Sequence, residues 1–146
     1  ISYTTRHQRS DVTYAYVPNV TALASEVDFM VVITPGGAAT KNLINAEVLK
    51  ALGPQSFLVN VARGDIVDEE ALYACMREGH LYGAGLDVWS DVEPPLATHP
   101  LLQLPNVIAT PHAAGSTEET QIKSSLRVAE QLMHVMNGSE PFHRVV

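Results

Sequence analysis

Short apolar runs alternate along this chain with segments of helical periodicity. Four runs predict strands, at residues 27–34, 56–61, 83–88 and 107–110, and residues 1–3 predict a further strand at the start. Hydrophobicity within the runs is continuous rather than alternating. This pattern is typical of strands that are covered on both faces of a parallel sheet.

Four segments between or after these strands predict helices, at residues 20–26, 46–52, 68–78 and 117–137. Each begins at a good N-terminal signal: Asn19, Asn45, the acidic run 68–70, and Ser116 or Thr117. Strands that alternate with helices imply right-handed βαβ crossovers. We therefore predict an α/β fold with a doubly wound parallel sheet of Rossmann type.

A complete dinucleotide-binding domain carries G-x-G-x-x-G between its first strand and first helix. Gly83 and Gly85 give the first half of this motif, but position 88 is Val and the segment continues as a strand. Either the chain is not a dinucleotide domain, or the loop lies upstream of Ile1. The chain begins without Met and directly with a strand, which favours the second interpretation.

Composition narrows the classes of function. The net charge is -7, with 9 basic against 16 acidic residues, which disfavours nucleic acids and anionic membrane surfaces as partners. The lone Cys75 forms no internal disulfide, is predicted to pack in the core, and makes no metal site with the scattered histidines. No apolar run reaches the ~18 residues of a membrane span. A cytoplasmic protein is the default expectation.

Polar side chains of three kinds follow three of the predicted strands. Arg63 follows the second, Asp87 and Glu93 lie at or after the end of the third, and His112 follows the fourth. Ligands of open α/β sheets bind beyond the carboxyl ends of the strands. We therefore expect these side chains to converge on one rim.

The chemistry that these groups suggest is reduction of a 2-keto acid. Arg63 would hold the substrate carboxylate through two parallel hydrogen bonds. His112 would be the general acid that protonates the developing alkoxide. Glu93 would orient the imidazole and favour its charged form. The hydride would come from a nicotinamide cofactor, because no side chain supplies one.

Each residue also has a purely structural interpretation. Arg63 would pair with Asp65 or Asp68, His112 would be a capping or core histidine, Glu93 a solvated loop acid, and Asp87 a cap of the following turn. Only the surrounding motifs favour the functional interpretation.

Those motifs resemble the D-isomer-specific 2-hydroxyacid dehydrogenases. The similar segments are VNVARGDIVD at 59–68, GLDVW at 85–89 followed by Glu93-Pro94, PNV at 105–107 and TPHAAG at 110–115. The order Arg63, Glu93, His112 matches the family's catalytic triad, as does the spacing from Glu93 to His112. The segment from Arg63 to Glu93 is one residue longer than the commonest form.

The resemblance implies that residues 1–4 are the second strand of the nucleotide domain. NAD-specific members usually place an acid near the end of this strand, but TTRHQR at 4–9 has none before Asp11. An arginine binds a 2′-phosphate, and an acid repels it. We therefore predict NADP over NAD, with Thr5 and Arg6 as contacts and Arg9 as a weaker one. TPGG at 34–37 likewise resembles the glyoxylate/hydroxypyruvate reductase branch.

The same resemblance implies further cofactor contacts. Thr34 and Pro35 would follow the adenosine and pyrophosphate, with Thr40 nearby; Val61 and Ala62 would line the nicotinamide; Asp87 would accept from the carboxamide, and Gly115 would approach through its backbone.

The resemblance thus predicts an NADPH-dependent reductase of glyoxylate, hydroxypyruvate or a similar 2-keto acid, giving D-2-hydroxy acids and homodimeric at full length. Residues 1–116 would be a partial NAD(P)-binding domain without its glycine-rich loop, and 117–146 a helix and tail returning toward a substrate domain. The fragment alone would be nearly inactive. The alternative is a nucleotide-responsive scaffold that binds protein partners with little turnover.

Overall fold

The computed structural model describes residues 1–142 and confirms the predicted α/β class. Its elements are β1 (Ser2–Tyr3), β2 (Ala15–Tyr16), α1 (Val20–Ala24), β3 (Phe29–Val32), α2 (Ala46–Leu52), β4 (Phe57–Asn60), α3 (Glu69–Arg77), β5 (Gly83–Leu86), β6 (Val107–Ala109) and α4 (Glu118–Met136). All predicted strands and helices are present; α2 has the predicted bounds, and the others are one or two residues shorter at one or both ends. The two-residue β2 and the 3₁₀ turns at Gly64–Ile66 and Pro100–Gln103 were not predicted.

The predicted helix starts are confirmed by their hydrogen bonds. Asn19 and Asn45 each accept two backbone N–H groups of the helix that follows, and the Asp68 carboxylate accepts the N–H of Ala71. Of the two candidates at α4, Thr117 is the cap. Each such cap stabilises its helix by about 1 kcal/mol.

The strands form two all-parallel sheets. One contains β2 and β1, and the other has the order β3-β4-β5-β6. A groove of about 690 Å³ lies between β1 and β3 and is lined by both. In the doubly wound order 3-2-1-4-5-6, this groove occupies the position of the strand that precedes the phosphate-binding loop.

One hydrophobic core joins α1, α2 and α3 to the larger sheet. Leu23, Leu49 and Leu72 of the helices are buried together with Leu58 of β4. Cys75 belongs to the same core, as predicted, and its burial raises the pKa of the thiol.

The expectation that strands are covered on both faces is wrong for the edges of the larger sheet. Phe29 and Val31 of β3 are 65% and 55% exposed, and Ile108 of β6 is 74% exposed. Side chains alternate between the two faces of a strand, and the three helices cover only one of them. Continuous hydrophobicity therefore marks an apolar second face that stays open among the residues the structure describes.

The chain divides into two compact units, residues 1–112 and the residues from Ala113 onward. The second unit contains α4, whose apolar side chains Ile122, Leu126, Leu132, Met133 and Met136 are exposed. Within residues 1–142, no helix is both long enough and apolar enough to cross a membrane. Positions 143–146 of the predicted tail lie outside the described residues.

Candidate active site

The turn after β4 presents Arg63 at the carboxyl edge of the larger sheet. Asn60, the last residue of β4, is 1% exposed, and its side-chain amide forms hydrogen bonds with two residues of this turn. Its Oδ1 accepts the N–H of Ala62 at 3.1 Å, and its Nδ2 donates to the carbonyl of Arg63 at 3.0 Å. A buried polar group needs such partners, so Asn60 fixes the backbone that carries the guanidinium. Sequence reasoning missed this role, although a lone Asn ending an apolar strand is a signal for it.

Two glycines, Gly36 and Gly64, allow close contacts around the turn that carries Arg63. A Cβ at Gly36 would lie 2.9 Å from Cγ of Arg63, so the arginine side chain lies across this glycine. A Cβ at Gly64 would overlap the carbonyl group of Trp89 and the nitrogen of Ser90. The turn after β4 and the loop after β5 therefore touch backbone to backbone, which only glycine permits.

The loop after β5 brings Glu93 to the same edge. The N–H of Trp89 donates to Oε1 of Glu93 at 2.8 Å, and Nδ1 of His112 lies 2.6 Å from Oε2. The Trp89 N–H first, and then the hydrogen bond with His112, hold the pKa of Glu93 below its usual range. The positive charge of Arg63 acts in the same direction, so it is within electrostatic reach of this carboxylate.

His112 follows β6 in an unusual backbone conformation. Its φ of 56° lies in the left-handed region, which costs a non-glycine residue about 1–3 kcal/mol. With Nδ1 directed to Glu93, Nε2 is the ring nitrogen that remains to face a ligand. The structure thus brings Arg63, Glu93 and His112 to one rim, where a guanidinium lies within electrostatic reach of a carboxylate paired with an imidazole.

The predicted cofactor contacts around the strand ends differ in their surroundings. Thr34 lines the groove beside β3, and its buried Oγ1 is without a hydrogen-bond partner in the described part of the chain. The hydroxyl of Thr40 donates to the carbonyls of Pro35 and Gly37 and so closes their turn. Asp87 is buried and accepts a hydrogen bond from the Thr110 hydroxyl. Val61 is partly exposed, Ala62 is buried, and Gly115 lies in the second unit.

The loop after β1 separates the two arginines predicted to bind a 2′-phosphate. Arg6 is exposed, whereas the guanidinium of Arg9 holds Asp11 through two hydrogen bonds, of 2.9 and 2.5 Å. The hydroxyl of Thr5 donates to the carbonyl of His7 at 2.6 Å. A phosphate at Arg9 would have to displace Asp11.

Residues 1–114 match the family model described as D-isomer specific 2-hydroxyacid dehydrogenase, NAD binding domain. The chain belongs to this family. The resemblance drawn from the motifs is therefore confirmed, and so is the Rossmann-like, NAD(P)-binding nature of the domain.

Relatives within the family act on different acids. The chain is 39% identical to a D-3-phosphoglycerate dehydrogenase of Synechocystis over 90% of its own length and 23% of that protein. It is 36% identical to a 2-ketogluconate reductase of Gluconobacter oxydans, over 91% of the chain and 42% of that protein. It thus spans less than half the length of these curated relatives.

A solved structure of a related reductase is also similar to this chain. An NADPH-dependent glyoxylate/hydroxypyruvate reductase from Sinorhizobium meliloti, in complex with NADP and malonate, superimposes with a TM-score of 0.89. That protein is 39% identical, and the match covers 99% of this chain and 45% of the other.

The Glu93 carboxylate should add stability in a defined pH range. Because the pKa of folded Glu93 is lowered, its contribution is present above the ordinary carboxyl pKa and is lost as pH falls through the folded value. We expect the difference in unfolding free energy between wild type and Glu93→Gln to shrink as the pH drops into the acid range. Urea unfolding at several pH values measures this, with Glu26→Gln as the control for an exposed carboxylate. A difference that stays constant down to strongly acid pH contradicts it.

Proposed function

We propose that the full-length protein reduces small 2-keto acids of the glyoxylate/hydroxypyruvate type to D-2-hydroxy acids, with NADPH as reductant. The observation that carries this proposal is the 2.6 Å contact of His112 with Glu93, at a carboxylate within electrostatic reach of the Arg63 guanidinium. Family membership and the reductase from Sinorhizobium meliloti support it.

Arg63, His112 and Glu93 each have a separate role in the proposed reaction. Arg63 binds the substrate carboxylate through two parallel hydrogen bonds, and this pairing fixes the orientation of the keto group. His112 donates a proton from Nε2 to the keto oxygen while Nδ1 stays bonded to Glu93. Glu93 fixes the ring and compensates the charge of the imidazolium. A bound nicotinamide dinucleotide supplies the hydride.

The predicted cofactor residues fit a dinucleotide. The buried Oγ1 of Thr34 lacks a partner among the described residues, and buried hydroxyls normally have one, so a ligand group or strand at the groove would satisfy it. Arg6 offers an exposed cation to a 2′-phosphate, and Thr5 adjoins it. The remaining contacts proposed are Arg9, Pro35, Thr40, Val61, Ala62, Asp87 and Gly115.

The test of this function is turnover by the full-length protein. We expect glyoxylate and hydroxypyruvate to oxidise NADPH, with NADH slower, and hydroxypyruvate to give the D-configured product. Cofactor binding without oxidation of either nucleotide by any 2-keto acid would reject the reductase and favour the partner-binding scaffold.

Replacing Arg6 tests the cofactor preference. The ratio of kcat/KM for NADPH to that for NADH should fall about 10- to 100-fold in Arg6→Asp, because a hydrogen bond between charged groups contributes ~1.5–3 kcal/mol. Arg127→Asp, on an exposed position of α4, is the matched control for lost charge. An unchanged preference in Arg6→Asp means that Arg6 does not contact the 2′-phosphate.

The 146-residue chain alone is proposed to be nearly inactive. In this proposal residues 1–116 form only part of the NAD(P)-binding domain, and residues 117–146 return toward a substrate domain. Turnover of the isolated chain, measured beside the full-length protein, should be negligible, and comparable rates would refute the proposal. We also propose a cytoplasmic homodimer at full length, for which light scattering gives the oligomeric state.

A further inference from the structure

The peptide unit between Trp89 and Ser90 is linked to all three groups of the site. Gly64, next to Arg63, packs directly against one side of it. The preceding peptide unit shares the Trp89 Cα, and its N–H donates to Glu93, which in turn holds His112. A shift of the Trp89–Ser90 unit therefore affects the guanidinium, the carboxylate and the imidazole together.

On its other side, the same peptide is held by Glu69. The N–H of Ser90 donates to Oε1 of Glu69 at 2.8 Å. Glu69 is the first residue of α3, yet its side chain is only 13% exposed, whereas the adjacent Glu70 is exposed. Desolvating a carboxylate is costly unless it is paired, so an ordinary helix-start acid would remain in water.

The pairing is completed by His99. Its Nε2 lies 3.3 Å from Oε2 of Glu69, and its Nδ1 accepts the N–H of Leu101 at 3.3 Å. A ring nitrogen that accepts carries no hydrogen, so Nε2 is the nitrogen that donates to Glu69. The His99 ring also meets the Trp89 indole edge-on, with centroids 5.0 Å apart. Glu69 thus contacts Ser90 and His99 contacts Trp89, so the peptide is held at both of its residues.

We propose that Glu69 and His99 are positioning residues of the active site, which hold the Trp89–Ser90 peptide and, through the shared Trp89 Cα, keep the N–H of the preceding peptide unit directed at Glu93. This inference rests on the proposed function for its kinetic consequence, but its structural consequence is independent of turnover. Glu69 and His99 contact Ser90, Leu101, Trp89 and each other, so both act on the site through the backbone at Trp89.

Loss of the Glu69 contact is expected to change the pKa of Glu93. The groups that lower the pKa of Glu93 are the Trp89 N–H, His112 and Arg63, in that order. Without Glu69 the Trp89–Ser90 unit loses a hydrogen bond and the backbone at Trp89 is free to shift, which weakens the hydrogen bond from the Trp89 N–H to Glu93. The pKa of Glu93 then rises toward its ordinary range, and its hold on the imidazole becomes less well defined.

The experiment uses the full-length protein and its Glu69→Ala variant. We expect kcat to fall about 10- to 100-fold, the loss associated with a misplaced catalytic group, while KM for the keto acid changes less than about 3-fold. The Glu93 pKa, followed by carboxyl-carbon NMR, should rise, and the Ser90 amide should exchange faster with solvent. Glu69→Gln keeps an acceptor for Ser90 and should recover a large part of each effect. His99→Gln keeps a donor for Glu69 and should likewise recover what His99→Ala loses.

Glu70→Ala is the matched control, because it removes an exposed acid from the same first turn of α3. Its kcat, Glu93 pKa and Ser90 exchange should equal those of wild type. The proposal is overturned if Glu69→Ala behaves like Glu70→Ala in these measurements, or if Glu69→Ala lowers thermal stability alone. If wild type shows no turnover, the proposed function fails, but the Glu93 pKa and Ser90 exchange still decide this inference.

Discussion

In the full-length protein, His112→Ala is expected to lower kcat for keto-acid reduction about 1000-fold. Removing the proton donor leaves the alkoxide to be protonated by water, and positioned acid catalysis contributes typically ~10²–10⁴-fold. The KM for the keto acid should change far less, since in the proposed function Arg63 binds the substrate carboxylate. Steady-state rates of NADPH oxidation, with each substrate varied in turn, measure both.

A matched histidine separates this effect from simple loss of an imidazole. His80 is exposed and lies 3.3 Å from Glu78, so it is also a histidine paired with an acid. His80→Ala should retain wild-type kcat. A His112→Ala variant within a few-fold of wild type would show that another group donates the proton.

The second large effect is expected for Arg63→Lys. Its kcat/KM for the keto acid should fall about 100-fold, mainly through a higher KM, because lysine is a point charge and loses the two parallel hydrogen bonds. One guanidinium N–H of Arg63 donates to the carbonyl of Ala62 at 2.6 Å, and this hydrogen bond fixes the orientation of the guanidinium. Lysine has a single amino group, which cannot keep this hydrogen bond and also bind a carboxylate through two parallel ones. Initial rates across a range of keto-acid concentrations separate KM from kcat.

The control is Arg77→Lys. Arg77 is an exposed arginine at the end of α3, and its guanidinium lies 5.8 Å from the centre of the Tyr73 ring. This conservative change should leave both kinetic constants near those of wild type. If Arg63→Lys retains the wild-type KM, the substrate carboxylate is bound elsewhere.

Much of the fold could be predicted because its signals are local. Asn19, Asn45 and Asp68 mark helix starts through hydrogen bonds to residues two or three positions onward, which leave a trace in the sequence. β2 left no trace because a pair of residues has no periodicity, and its pairing with β1 is a tertiary contact. The open face of β3 was mispredicted for a related reason. Apolar residues such as Phe29 show that a face suits burial, not that an element covers it.

The site was predictable where chemistry restricts residue type at the end of a strand. Arg63, Glu93 and His112 each follow a strand of the larger sheet, and parallel topology brings those strand ends to one edge. The contacts of Glu69 and His99 were not predictable in this way. They are distant in sequence and meet only because α3 packs beside the loop after β5. In sequence, Glu69 is indistinguishable from Glu70, and His99 from any histidine of a turn.

A crystal structure of the full-length protein with NADP and oxamate would show whether Arg63 and His112 face the same small keto acid. Oxamate has the shape of a 2-keto acid but is not reduced. We expect its carboxylate on the guanidinium of Arg63 and its amide oxygen within hydrogen-bond distance of Nε2 of His112, while Nδ1 remains on Glu93. Oxamate bound away from Arg63, or a His112 side chain turned from both Glu93 and the ligand, would mean that these residues do not form one substrate site.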